Sequence, residues 1–242
     1  MKKSVYVFAL LSVLSFCCFV VPSEWQLFLK EFVKHPHEIG SVVPSSPYTC
    51  RELTRYVCNR DSVVTTTPYH ILEAGAGTGV VTRQILQNLR PGDVYDIVES
   101  DSELAAKLTS MVESEEYSAK GSARVRVYAC GFEKFRDLYN IQKHSYNVVI
   151  TTLPFNAFPL LLVQGCLLAI RDSLAPGGHW SYIEYRWLPD IKTTFTWGAS
   201  CDCLKLVKKE VQDFCATAIE KKKVFVLRNV PPTYVYHLKF SN

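Results

Sequence analysis

From residue 70 onward, short apolar segments alternate regularly with stretches whose apolar residues recur at helical spacing. This alternation is typical of βαβ units, in which helices cover a parallel sheet. Two further apolar segments near the C-terminus are separated only by Pro231 and Pro232, too short a connection for a parallel crossover, so they are predicted to pair antiparallel. The expected fold class is therefore α/β, with a seven-stranded, mostly parallel sheet that ends in a C-terminal antiparallel strand pair. The predicted strands are 70–74, 94–98, 125–129, 146–151, 180–185, 224–230 and 233–239, and the predicted helices of the core are 78–89, 102–112 and 159–174.

The length of 242 residues fits one domain with an N-terminal extension, since single α/β domains reach about 250 residues. An apolar fraction of 48% and a charged fraction of 21% indicate a globular protein with a sizeable core. We predict three parts: an apolar N-terminal segment at 1–22, an N-terminal helical region at 23–69, and a core at 70–242 that carries the site. Ser102 is the predicted N-cap of the second core helix, and Pro176-Gly177-Gly178 a predicted turn before the fifth strand.

Charge and cysteine content disfavour two classes of function. The net charge of +4 is dispersed along the chain, which disfavours a dedicated nucleic-acid binder, and the basic run Lys221-Lys222-Lys223 is interpreted as a solvated turn before a strand. The nine cysteines include no C-x-x-C pair, so no metal site is expected. Their odd number favours a reduced, intracellular protein.

The first residues resemble a signal peptide or a membrane anchor. Lys2 and Lys3 precede an uncharged apolar run at 4–21, which is near the lower length limit for crossing a bilayer. Three interpretations stay open: a helix that rests on or anchors to a membrane, a true span, and a signal or mistaken start. A following apolar stripe at 25–33 predicts a helix that either covers the core or lies on a membrane surface.

The segment Glu73-Ala74-Gly75-Ala76-Gly77-Thr78-Gly79 connects the first predicted strand to the first core helix. A dinucleotide-binding loop would read G-x-G-x-x-G, but Val80 stands where its last glycine would be, and the tighter spacing suits a ligand without a phosphate. Glycines allow the main chain to lie directly against such a ligand. The second strand leads into Glu99 and Ser100, about twenty residues beyond the loop, where a carboxylate can accept hydrogen bonds from ribose hydroxyls. The expected cofactor-binding residues of this region are Gly75, Ala76, Gly77, Thr78, Gly79, Glu99 and Ser100.

A second motif follows the fourth predicted strand, where open α/β sheets bind ligands. Main-chain carbonyls of the turn Leu153-Pro154-Phe155 can accept hydrogen bonds from an amine, and the Phe155 ring can stabilise a forming ammonium. Leu153, Pro154 and Phe155 are therefore the candidate catalytic residues, with Asn156 beside them in the substrate site. A rigid strand-to-helix turn without a catalytic role is the alternative.

These motifs, with the segments Ile39 to Ser46, Leu174 to Gly178 and Arg228 to Pro232, resemble the bacterial phospholipid N-methyltransferases and, more distantly, the ribosomal RNA adenine dimethylases. The resemblance implies a Rossmann-like class I methyltransferase fold with S-adenosylmethionine as the cofactor. It implies that Glu73 lies beneath the methionyl amino group. Many relatives have an acidic residue after the third strand, against the adenine amine. This chain has Cys130-Gly131-Phe132 there, so a main-chain contact at Gly131 or Phe132 is expected instead.

The resemblance further implies that the substrate is an amine-bearing phospholipid of the phosphatidylethanolamine type, methylated at the cytoplasmic face of a membrane. Ser45, Ser46 and Arg186 are candidates for its phosphate, and His179 is a candidate base by residue type alone. RNA is the alternative substrate, although Thr152 stands where the adenine dimethylases have the asparagine that holds the base. A small-molecule amine acceptor and a non-catalytic cofactor-binding module are the remaining alternatives.

Overall fold

A computed structural model describes residues 45–60, 67–114, 123–185, 199–229 and 232–241, all of which belong to one compact unit. The predictions for segment 1–22, for the stripe at 25–33 and for Arg186 lie outside the described residues. Within the described ranges, no helix combines the length and the apolar character needed to cross a bilayer.

In the described part of the chain, seven strands form one sheet in the order β3-β2-β1-β4-β5-β7-β6. The first five strands along the chain pair in parallel, whereas β7 pairs antiparallel with both β5 and β6. This arrangement confirms the predicted fold class. The strands are β1 (His70–Ala74), β2 (Val94–Glu99), β3 (Arg124–Ala129), β4 (Tyr146–Thr151), β5 (Leu174–Tyr185), β6 (Glu220–Val226) and β7 (Thr233–Lys239).

Helices precede β1 and connect the strands. Their bounds are α1 (Pro47–Leu53), α2 (Arg55–Cys58), α3 (Val80–Leu86), α4 (Ser102–Glu113), α5 (Phe132–Leu138), α6 (Leu160–Ser173) and α7 (Ala199–Ala216), with a 3-10 turn at Phe155–Ala157. The helix predicted at 78–89 begins later, because Gly79 has a left-handed φ of +80°. The predicted cap of α4 is wrong by one residue: the Asp101 side chain accepts from the amides of Glu103 and Leu104, and Ser102 is the first helical residue.

Two predictions near the C-terminal half need correction. Lys221, Lys222 and Lys223 lie in β6 and not in a turn before it, because pairing with the apolar strand β7 extends to these residues. The predicted turn at Pro176-Gly177-Gly178 lies inside β5, as an irregularity where the register with β4 shifts between Tyr146 and Val148. Gly177 has a φ of +73° in this irregularity.

Alternation along β5 directs side chains to the two faces of the sheet. Trp180 and Tyr182 belong to the apolar core beneath α6 and α7. His179 and Ser181 point to the opposite face, where the ring of His179 stacks on that of Tyr56 at a centroid distance of 3.9 Å. His179, named above as a base by residue type, is therefore on the other face of the sheet from Trp180.

A buried polar chain fixes α1 against this second face. The Oγ atom of Ser181 lies 2.8 Å from Nδ1 of His237, and the Nε2 atom of His237 lies 3.1 Å from the Glu52 carboxylate. Burial lowers the pKa of His237, and this effect outweighs that of the Glu52 carboxylate, which acts to raise the pKa. The His237 ring is therefore neutral. The neutral ring donates from one nitrogen and accepts at the other: Nε2 donates to the Glu52 carboxylate and Nδ1 accepts from the Ser181 hydroxyl, so the chain stays hydrogen-bonded without a buried charge on histidine.

Candidate active site

The loop between β1 and α3 contains three left-handed glycines, Gly75, Gly77 and Gly79, with φ values of +76°, +56° and +80°. A Cβ atom on Gly75 would lie 2.8 Å from Cδ2 of Leu153, and one on Gly79 would lie 2.7 Å from Cε of Met111. A Cβ atom on Gly77 would meet no described atom within 4 Å. Packing therefore explains two of the glycines, while Gly77 presents bare main chain to open space.

The predicted loop and the predicted acid come together. One carboxylate oxygen of Glu99 accepts from the Gly77 amide at 2.7 Å, and the other accepts from the Asp101 amide at 3.0 Å and the Ser100 hydroxyl at 3.4 Å. The Glu99 residue is only 7% exposed, although its carboxylate reaches the open side of the loop. Within the loop, Ala76 is buried and its carbonyl accepts from the Gly79 amide, whereas Thr78 is exposed.

Glu73 lies fully buried at the end of β1. Its Oε2 atom accepts hydrogen bonds from the Tyr95 hydroxyl and from the Thr82 hydroxyl, the latter at 2.8 Å. Its Oε1 atom has no hydrogen-bond partner among the described residues. Burial raises the pKa of this carboxyl to about 7, and the nearby Glu99 charge adds to the shift. Buried oxygens without a hydrogen-bond partner are rare. The Oε1 atom of Glu73 is therefore a candidate acceptor for a donor group of a ligand.

The turn after β4 contacts this loop directly. The Thr152 amide donates to the Ala74 carbonyl at 3.2 Å, and the Thr152 hydroxyl donates to the Gly75 carbonyl at 2.5 Å. The Leu153 side chain covers Gly75. The candidate catalytic turn and the glycine loop therefore form one continuous surface at the carboxyl ends of β1 and β4.

The backbone of the turn is an inverse γ-turn centred on Pro154, which has φ −81° and ψ 69°. The Phe155 amide donates to the Leu153 carbonyl at 3.0 Å, and the Ala157 amide donates to the Pro154 carbonyl at 2.8 Å. Each carbonyl keeps a second lone pair for an external donor. Asn156 is half-buried in the 3-10 turn that follows.

Phe155 is 7% exposed, so most of its ring belongs to the core. Its ring meets those of Phe158 and Trp180 edge-on, at centroid distances of 6.5 and 6.3 Å. The Trp180 indole donates to the Thr151 hydroxyl at 3.0 Å, which orients the indole beneath the turn. The structure thus leaves little of the Phe155 ring exposed to a substrate.

Aromatic rings continue from Trp180 across the sheet. Trp180 stacks on Tyr182 at 4.4 Å between ring centroids, and Tyr182 stacks on Tyr236 at 4.9 Å. Glu184 is two residues beyond Tyr182 and therefore on the same face, at the carboxyl end of β5. Burial and the adjacent Glu184 carboxylate raise the pKa of the Tyr236 hydroxyl. Glu184 was not predicted from the sequence, although the alternation of Trp180, Tyr182 and Glu184 indicates that they share one face of β5.

A second missed acid lies after β3. Gly131 precedes the first residue of α5, and Phe132 is buried with 4% exposure. The carboxylate oxygens of Glu133 lie 2.6 and 2.7 Å from the place that a Cβ atom on Gly131 would take. The Cys130 amide donates to the Glu99 carbonyl at 3.1 Å, which holds this region beside the end of β2. Glu133 thus fills the space of the side chain that Gly131 lacks.

The serines predicted to bind substrate take part in local structure. The Ser46 hydroxyl caps α1 by accepting from the Thr49 amide at 3.3 Å, and the Ser46 amide donates to the Asn229 side chain at 2.8 Å. The Ser45 carbonyl lies 3.5 Å from Sγ of Cys50. The structure groups these residues with the connection that follows β6.

Known structures of methyltransferases share this fold. The O-methyltransferase TomG from Streptomyces achromogenes, solved with S-adenosylmethionine, superposes with a TM-score of 0.57 at 12% identity, covering 94% of this chain and 95% of that one. The N-methyltransferase NodS from Bradyrhizobium japonicum WM9, solved with S-adenosylhomocysteine, gives 0.54 at 10% identity, covering 81% and 89%. The CurJ carbon methyltransferase gives 0.51 at 16% identity, covering 75% of this chain, which spans 50% of that protein's length.

The chain thus has the fold of methyltransferases that have been solved with S-adenosylmethionine or S-adenosylhomocysteine, with the glycine loop and its acids at the carboxyl ends of β1 and β2. In sequence it is similar to the ornithine lipid N-methyltransferase of Singulisphaera acidiphila, with 28% identity over 170 residues that cover 68% of this chain and 80% of the relative. The predicted resemblance to bacterial lipid N-methyltransferases is thereby confirmed. No known protein-family profile matches the chain.

Proposed function

We propose that the protein transfers a methyl group to the amine of a lipid head group, of the phosphatidylethanolamine type. The observation that carries the lipid acceptor is the similarity over 170 residues to a lipid N-methyltransferase. The contact between Thr152 and Gly75 supports the site of transfer, because it joins the cofactor loop to the turn that would receive the amine.

Different described residues bind different parts of the cofactor. The bare main chain of Gly77 and the carboxylate of Glu99 bind its nucleoside, with Glu99 accepting from the ribose hydroxyls. The open Oε1 atom of Glu73 accepts from the methionyl ammonium. Glu133 and the main chain at Gly131 and Phe132 contact the adenine amine, since the Glu133 carboxylate occupies the place of the missing acidic side chain. When bound, S-adenosylmethionine supplies a methyl group on a positively charged sulfur.

Transfer requires an aligned, neutral amine and little other chemistry, because the methyl carbon leaves its sulfur in a direct displacement. Carbonyls of the Pro154 turn accept from the N–H groups of the amine and direct its lone pair. The half-buried ring of Tyr236, which stacks on the buried Tyr182, lines the approach on the same face as Trp180. Glu184 binds the acceptor as an ammonium ion, and the ammonium releases a proton to solvent before its nitrogen takes the methyl group.

Glu184→Gln tests this last assignment. Loss of the charge-assisted contact is expected to raise the KM for the amine acceptor about tenfold, with the affinity for S-adenosylmethionine unchanged. Glu220→Gln is the matched control, because Glu220 is an exposed acid at the opposite end of the sheet, where it pairs with Lys239. Steady-state kinetics with varied acceptor distinguish the two. Equal KM values for wild type and Glu184→Gln would remove Glu184 from the acceptor site.

The raised pKa of Glu73 predicts a pH dependence of cofactor binding. The carboxyl is neutral below about pH 7 in the free protein and must ionise to hold an ammonium group. The affinity for S-adenosylmethionine should therefore rise as the pH increases toward 7, approaching about tenfold per pH unit on the acid side, and then level off. Binding at pH 6 should release a proton.

Calorimetry in buffers of different ionisation enthalpy measures both the affinity and the proton release. Glu73→Gln keeps the size of the side chain and is expected to bind more weakly, with a flat profile between pH 5.5 and 7. A wild-type affinity that does not change over this interval would contradict the contact between Glu73 and the ammonium group.

The acceptor is tested by incubating the full-length protein with methyl-labelled S-adenosylmethionine and, separately, vesicles of phosphatidylethanolamine, vesicles of ornithine lipid and ribosomal RNA. We expect label in an amine-bearing lipid and none in RNA. Label in RNA alone would replace the proposed substrate with the adenine of RNA. Cofactor binding without any labelled product would favour a non-catalytic module.

A further inference from the structure

β6 is the outer strand of the sheet and pairs only with β7 in the described part of the chain. Lys221, Lys222 and Lys223 are exposed along it. Lysines on an outer strand commonly prevent edge-to-edge association, which would account for these charges by themselves. They do not account for the large apolar side chains that lie beside them.

Three such side chains are exposed at the carboxyl end of β6 and at the start of α1. Phe225 is 41% exposed, Leu227 is 69% exposed and Tyr48 is 46% exposed. Arg228 joins the turn after β6 to α1, since its guanidinium donates to the Tyr48 hydroxyl at 2.8 Å and its Cζ atom lies 5.0 Å from the centre of the Tyr48 ring. Phe225 lies on the face of β6 that carries Lys223, where its ring is 5.1 Å from that of Tyr234, whereas Lys222 lies on the face toward His237 and α1. The exposed side chains therefore flank the outer strand on both of its faces.

This surface is positively charged. We call it the edge surface, and it consists of Tyr48, Arg51, Lys222, Lys223, Phe225, Leu227 and Arg228, all of which are exposed. The described acids around it are engaged elsewhere: Glu52 contacts Arg55 at 2.6 Å and His237 at 3.1 Å, while Glu220, at the far end of β6, contacts Lys239 at 2.9 Å. Four basic groups thus lie beside exposed aromatic and aliphatic side chains.

Three other exposed apolar residues have a different setting. Leu161, Leu168 and Leu206 lie on α6 and α7. Between these helices runs a groove of about 280 Å³ whose lining includes Glu210 and Asp213 beside Arg171. A groove lined by both acidic and basic side chains does not favour an anionic partner, whereas the basic edge surface does.

We propose that the edge surface rests on an anionic lipid bilayer, with its basic groups among the phosphates and with Phe225, Leu227 and Tyr48 at the interfacial level. Aromatic and basic side chains are the groups favoured at that level, and anionic head groups attract clustered Lys and Arg. β6 runs parallel to β5, because both pair antiparallel with β7. Phe225 and Leu227 therefore lie at the carboxyl end of the parallel strands, the same end as the glycine loop and the Pro154 turn.

Such docking would bring the acceptor site to the lipid surface, and in this respect the inference rests on the proposed function. Its test does not depend on methyl transfer. The full-length protein is mixed with vesicles of phosphatidylcholine alone or of phosphatidylcholine with phosphatidylglycerol, and amide hydrogen exchange is followed along the chain. We expect the amides of β6 and of 227–229 to exchange more slowly on the anionic vesicles, and those of α6 to be unchanged.

A charge-reversal pair provides the matched control. Lys222→Glu with Lys223→Glu should weaken binding to the anionic vesicles about tenfold or more, and the difference should shrink at high salt. Lys208→Glu with Lys209→Glu makes the same change of charge at two adjacent exposed lysines of α7 and should have little effect. Thermal melting confirms that both double variants are folded.

The inference is overturned if β6 gains no protection on anionic vesicles, or if the two double variants lose equal affinity. Exchange is read strand by strand, so binding by another segment of the chain does not hide the result. Protection of β6 in a protein that methylates no lipid would leave the edge surface in place and remove the proposed substrate. Lipid methylation without protection of β6 would support the proposed substrate and overturn the contact between the edge surface and the bilayer.

Discussion

Gly77→Leu is expected to abolish measurable binding of S-adenosylmethionine while the protein remains folded. The reason is local: a Cβ atom at Gly77 would meet no described atom within 4 Å, so a leucine side chain extends into the space that the cofactor needs. It would also separate the cofactor from the Gly77 amide and from Glu99, which accepts from that amide at 2.7 Å. Isothermal calorimetry should show no heat of binding at cofactor concentrations about a hundredfold above the wild-type Kd.

The control must share the backbone strain of this substitution. Gly77 has a φ of +56°, a left-handed conformation that costs a leucine about 1–2 kcal/mol. Gly177→Leu has a comparable cost, because Gly177 has a φ of +73° and only the flexible end of Lys239 lies near its Cβ position, at 4.0 Å. Both variants should melt a few degrees below wild type, and only Gly77→Leu should lose the cofactor. Binding by Gly77→Leu at wild-type affinity would move the cofactor away from this loop.

The sheet could be predicted from the sequence because its information is local. β1 and β4 have the predicted bounds, since each is a short apolar run between clear turn signals. β6 was placed four residues too far along the chain, because its lysines are polar and its pairing with β7 is a long-range interaction that overrides local polarity. Helix α7, which covers Trp180 and Tyr182 with Phe214 and Val207, was not predicted at all.

The site shows the same division between local and long-range information. The glycine loop and Glu99 were predicted from spacing, and the structure places them within hydrogen-bond distance. Glu133 could not be recognised in this way, because its carboxylate folds back over Gly131 from the first turn of α5. The pairing state of Glu73 likewise depends on Tyr95, which is on the neighbouring strand and distant in sequence. Spacing indicates which residues can meet, and packing decides which atoms stay unpaired.

Phe155→Ala separates a role in catalysis from a role in packing, since the Phe155 ring is 7% exposed and belongs to the core. Truncating a buried phenylalanine costs about 3–5 kcal/mol of unfolding free energy, so a fall in melting temperature is expected and proves nothing about transfer. The informative result is turnover. The ring supports the turn that aligns the amine, and a misplacement of about 1 Å at a reacting centre lowers the rate about a hundredfold.

Phe135→Ala is the matched control, because Phe135 is 1% exposed in the same core but lies on α5, where its ring contacts Tyr128 and not the Pro154 turn. Both variants are compared at a low temperature at which circular dichroism shows them folded. We expect Phe155→Ala to lower kcat about a hundredfold with cofactor affinity within about threefold of wild type, and Phe135→Ala to keep most of its turnover per folded molecule. Equal losses of kcat in the two variants would mean that Phe155 acts through stability alone and has no part in methyl transfer.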